Sequence, residues 1–105
     1  MPTKLSEAWD LAAKELSQCY GIYGSREDKL VCAEGAAAYY LGTAKPVSHP
    51  NSLVPNSKVE AMLDEFVKRL RKSGTQYFTD TTISLNDEKR WTFQQFADKA
   101  RDLGL

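Results

Sequence analysis

Apolar residues recur at spacings of three and four at the start of the chain, where Leu5, Ala8, Trp9, Ala12, Leu16 and Tyr20 form one stripe. A helix buries such a stripe on one face. Thr3 stands where a cap is needed and Gly21 where a helix ends, so the pattern predicts a helix over 4–20. A glycine-bounded loop, Gly21-Ile22-Tyr23-Gly24, follows. Ser25-Arg26-Glu27-Asp28 reads as a variant capping box with an acidic first turn, which predicts a second helix over 26–41. This helix is apolar nearly all round and carries Ala33, Gly35, Ala36, Ala37 and Ala38, the small residues of a central element. Glycine costs a helix about 1 kcal/mol relative to alanine. Another helix pressed against Gly35 is therefore the expected reason for its place, with a ligand in the same hollow as the alternative.

From Gly42 to Asn56 the apolar periodicity disappears and Pro46, Pro50 and Pro55 punctuate the chain. Long loops of this kind in small domains are commonly functional, which makes the segment an expected contact surface. Ser57-Lys58-Val59-Glu60 is a capping box, and Val59, Met62, Leu63, Phe66 and Leu70 continue as a stripe, predicting a helix over 58–73. Its acids lie early and its bases late, with Asp64/Lys68 and Glu65/Arg69 one turn apart. The helix dipole and these pairs explain the cluster Lys68-Arg69-Leu70-Arg71-Lys72 before nucleic acid has to be invoked.

After Gly74, the residues Tyr77, Phe78, Thr81, Thr82, Ile83 and Leu85 favour strands, interrupted at Asp80. They predict a short β-hairpin within 76–85, and Asn86-Asp87 is then the turn that leaves it. Thr92 and Gln95 form a capping box, Trp91 and Phe96 a hydrophobic staple, and Phe93, Phe96, Ala97, Ala100 and Leu103 a final stripe ending at Gly104. A last helix over 93–103 follows. The expected fold is mainly α, a compact bundle of about four helices with that short hairpin before the last one.

Composition narrows the function classes. A chain of 105 residues has room for one core, so 1–105 is read as a single globular domain. Hydrophobic residues at 42% and charged residues at 27% are globular values, not those of a disordered chain. Fourteen bases and fourteen acids cancel, which removes the broad positive field of most nucleic-acid binders. No apolar run approaches a membrane span or a signal-peptide core, so a cytoplasmic location without membrane contact is expected. Cys19 and Cys32 are too few for a disulfide scaffold and not spaced as a metal knuckle, and both are read as free thiols. His49, the single histidine, has no partner at ligand spacing and is read as a solvated loop residue. No metal cluster, nucleotide loop or catalytic triad is visible, so no metal, cofactor or catalytic residue is assigned.

The first amphipathic helix, the Cys-x-x-Gly-Ala stretch from Cys32 to Ala36, the Asn86-Asp87 pair, Thr92 and the Lys99-Ala100 pair of the last helix belong together as a pattern. It resembles a group of short bacterial and phage proteins that form a domain family of undefined function, so the resemblance implies no activity. The expected role is a small interaction module, an inhibitor or regulator of the phage or mobile-element kind that binds a partner protein. Its contact candidates are Tyr23, Tyr39, Tyr40, His49, Asn86, Asp87 and Trp91, since aromatic side chains dominate interface hot spots. The alternative is a small-molecule or nucleotide-binding domain with a pocket near Gly35, where Glu34, Asn86 and Asp87 could do acid–base work if they converged.

Overall fold

A computed structural model describes residues 1–44 and 53–105. His49 and most of the proline-punctuated loop therefore lie outside the described residues. Among the described residues the fold is mainly α, with five α-helices and a small three-stranded sheet in place of four helices and a late hairpin.

The first helix, α1 (Leu5–Glu15), ends earlier than its stripe predicts, because Leu16 turns extended and Ser17–Gln18 becomes strand β1. Ser17 and Cys19 donate their amides to the carbonyls of Lys29 and Val31, at 2.8 Å each. Two local ladder bonds thus replace the last helical turn. The expected second helix is also shortened at its start. Ser25-Arg26-Glu27-Asp28 closes a hairpin between β2 (Gly24–Ser25) and β3 (Leu30–Val31), with Ser25 Oγ accepting from the Asp28 amide and Lys29 left-handed at φ 53°. The Ser-x-x-Asp signature is common to helix starts and turns, and here the ladder decides. The sheet order is β1-β3-β2, with β1 parallel and β2 antiparallel to β3. Gly24, at φ +100°, is required there: a Cβ would lie 1.9 Å from the Leu30 carbonyl oxygen.

Helix α2 (Ala33–Leu41) follows at once, and α3 (Ser57–Ser73) is capped by Asn56, whose side chain accepts from the Val59 amide at 2.9 Å, rather than by Ser57. The strand-favouring run after it is helical instead. A 3-10 turn spans Thr75–Tyr77, and α4 covers Thr82–Asp87. Thr81 and Ser84 cap each other's amides, at 3.0 and 2.8 Å, in a capping box that carries serine where glutamate or glutamine usually stands. Asp80, buried and paired with Lys89 Nζ at 2.7 Å, anchors the entry. The chain reverses after α4 through Arg90, at φ 54°, and α5 (Phe93–Asp102) starts from the Thr92/Gln95 box as expected. Trp9, Phe66 and Phe96 meet at the centre, with Trp9 ring centroids 5.1 and 5.0 Å from the other two.

Candidate functional site

Asn86 and Asp87 are not a turn: they form the last residues of α4, and Asn86 is only 1% exposed. Its side chain makes four hydrogen bonds. Oδ1 accepts from Gln18 Nε2 at 2.8 Å and from the Ala33 amide at 3.0 Å, while Nδ2 donates to the Cys19 carbonyl at 3.0 Å and to Asp87 Oδ1 at 2.7 Å. An amide that must donate and accept at once, on opposite sides, suits asparagine alone among side chains of its size. The Ala33 amide is the first of α2, so α4 supplies that amide with its acceptor. Cys32, the residue before α2, adds a second through Sγ, which accepts from the Gly35 amide at 3.3 Å.

Above this network lies a cleft of about 350 Å³. The loop Gly21, Ile22 and Tyr23 forms one wall, Ile83 and Asp87 of α4 the other, and Cys32, Glu34 and Asn86 the floor. The loop is fixed at both ends. Asp87 Oδ1 accepts from the Gly21 amide at 2.9 Å, and the Tyr23 carbonyl accepts from the Cys32 amide at 3.1 Å. Gly35 is indeed pressed closely, but by this loop and not by a helix: a Cβ on Gly35 would stand 2.1 Å from the Tyr23 carbonyl oxygen.

The lining is acidic or neutral. Burial, followed by the charges of Glu60, Asp64 and Asp87, raises the Glu34 pKa. Burial pushes the Cys32 thiol up to about 11, against the opposing pull of the Gly35 and Glu34 amides. Tyr23 is likewise raised, by burial and then by Glu34. A thiol held protonated, with no histidine or cation among the described residues that line the cleft, is a poor nucleophile. Among the described residues no group of three His, Cys, Asp or Glu side chains could hold a metal ion. No helix there is long and apolar enough to cross a membrane.

Of the residues singled out from the sequence, Tyr23, Asn86 and Asp87 come together in this cleft. Tyr39 and Tyr40 do not line it. They stack edge to face at 4.8 Å near the end of α2, Arg26 sits 4.5 Å over Tyr39, and Tyr40 Oη donates to Glu15 at 2.7 Å. Trp91 packs inward, 5.4 Å from Phe96 and 6.1 Å from Tyr77, and its carbonyl accepts from Gln18. Sequence reasoning missed Ile22 and Ile83, both exposed on the rim. Ile83 was hidden by the strand reading of 76–85, whereas an Ile22-Tyr23 pair bounded by Gly21 and Gly24 was a signal for Ile22. Compared with protein-family models, curated proteins and solved structures, the chain matches none.

Proposed function

We propose that the chain is a small protein-interaction module, acting as an inhibitor or regulator, that engages its partner through the cleft between the Gly21–Gly24 loop and α4. The observation that carries this reading is the rim: Ile22, Tyr23 and Ile83 are 64%, 37% and 51% exposed around a concave surface whose backbone is tied down on both sides. Apolar side chains gathered on a rigid concavity are characteristic of recognition sites. A photo-crosslinking residue placed at position 22 or 83, with a control at the exposed Lys58, tests it. A shared protein adduct at 22 and 83, absent at 58 and competed by the unmodified chain but not by Ile83→Glu, is the expected result. Equal labelling at all three positions, or no adduct, rejects the reading.

The second reading, a small-molecule site, is favoured by the convergence of Glu34, Asn86 and Asp87 on one cavity. Native mass spectrometry of the purified chain that retained a discrete added mass, lost in Ile83→Glu, would select it over the first.

A further inference from the structure

Resting on the interaction reading, we propose that the partner group seated in the cleft is a basic side chain, lysine or arginine, whose stem lies along the apolar rim and whose head meets Glu34 and Asp87. The charge of the cleft calls for a cation. Its charged lining residues, Glu34 and Asp87, are both acidic, and Glu60 and Asp64 lie close enough to add to the field at Glu34. Among the described residues no hydrogen bond or ion pair engages the Glu34 carboxylate, and Asp87 uses Oδ1 alone, on Gly21 and Asn86. A half-buried carboxylate with no hydrogen-bond donor among the described residues, at the base of this concavity, is partly desolvated and gains from a charged donor seated beside it.

The nearby bases do not fill that role. Arg90 lies 4.1 Å over the Tyr20 ring, and Arg71 donates to the Asp80 carbonyl. Lys68 and Lys72 line a neighbouring depression that Glu34 also borders, not the cleft, and among the described residues neither forms a hydrogen bond or ion pair with Glu34. Ile22 and Ile83 give the methylene stem of a lysine or arginine an apolar track, and the Tyr23 ring offers a face for its charged head. Neutral ligands of the same shape would use the walls and leave the Glu34 carboxylate and Asp87 Oδ2 without a charged donor.

The test is an amide-resolved NMR titration of the whole chain with capped five-residue peptides, alanine except for a central arginine, lysine, norleucine or glutamate. Arginine and lysine peptides are expected to shift the amides of Gly21, Tyr23 and Asp87, with norleucine and glutamate weaker by about tenfold, as one charged hydrogen bond warrants. Glu34→Gln should weaken the arginine peptide by a similar factor and leave norleucine unchanged, while its unperturbed remaining spectrum reports an intact fold. Norleucine binding as well as arginine, with no effect of Glu34→Gln, overturns the cation and keeps the cleft as an apolar contact site. No shift at these amides with any peptide also overturns the proposal, and the crosslinks at positions 22 and 83 then decide separately whether the interaction reading stands.

Discussion

Around Trp9 the molecule is held by apolar contact, and around Asn86 by hydrogen bonds. Trp9, Phe66 and Phe96 are each fully buried and bring α1, α3 and α5 together through ring faces and edges. Such packing is nondirectional and tolerates small shifts of one helix on another. Asn86 instead fixes β1 at Gln18, the next residue Cys19 and the first amide of α2, through partners 68, 67 and 53 residues away in sequence. Each of those bonds requires an angle as well as a distance. The apolar region thus provides most of the stability, while the polar region sets the position of the loop and of the cleft. Two residues join them: Trp9 Nε1 donates to the Ala33 carbonyl at 2.9 Å, one peptide away from the amide that Asn86 holds, and Trp91 packs its ring on Phe96 while its carbonyl accepts from Gln18.

Removal of the aromatic centre is the harshest test of this division. Trp9→Ala should destabilise the chain by about 3 to 5 kcal/mol, a large share of the total for a domain of this size, as measured by urea unfolding. The loss should appear as one cooperative transition. Two separated transitions would break the comparison by showing that the Asn86 region folds independently.

Asn86→Ala comes next, at about 2 to 4 kcal/mol, because the Ala33 amide and the Cys19 carbonyl are left buried without partners. Asn86→Asp sharpens the point. Its volume is nearly that of asparagine, but a carboxylate oxygen would replace Nδ2 and face both the Cys19 carbonyl and Asp87. It should cost at least as much as alanine at neutral pH, and hydrogen exchange should accelerate at the Ala33 amide before it does so in α3 or α5. Asn86→Asp at wild-type stability would show that shape, not hydrogen bonding, holds the region.

The same division explains what could be read from the chain. The stripes of α1, α3 and α5 are written at helical spacing, and so were visible: Phe66 and Phe96 stand where periodicity puts them, and the Thr92/Gln95 box starts α5. The polar region is written in single residues whose partners lie far away in sequence. Nothing local in Ser17-Gln18 or Leu30-Val31 announces a two-residue strand, and Ser25-x-x-Asp28 is equally at home in a turn. In α4 the strand propensity of Thr81, Thr82 and Ile83 was overridden by a reciprocal Thr81/Ser84 cap and the pair between buried Asp80 and exposed Lys89. Asn86 and Asp87 could be singled out from the sequence because they are polar among apolar neighbours. Their role as the cap of α2 and the clamp of the loop required the fold.

The smallest effect is expected at Cys32, where the polar region is closed against water. The folded chain holds this thiol neutral, its pKa pushed from 9.0 up to about 11 by burial. In the unfolded chain it ionises near the ordinary value, so between these two pH values the unfolded state releases a proton that the folded state keeps, at about 1.4 kcal/mol per unit of difference. The resulting stabilisation is fully present below pH 9 and is lost as the pH rises through 11. Cys32→Ser keeps an acceptor for the Gly35 amide and removes the ionisation. Between pH 8.5 and 10.5 the unmodified chain should therefore lose about 1 to 2 kcal/mol more than the serine variant, as read from urea midpoints at each pH. Cys19 is raised in the same direction by burial and Asp87, and it titrates in both proteins, so it enters the difference only through its smaller electrostatic effect on Cys32. Parallel curves would mean that a thiolate at position 32 is as well solvated folded as unfolded, and that the floor of the cleft is open to water, the opposite of the dry core at Trp9.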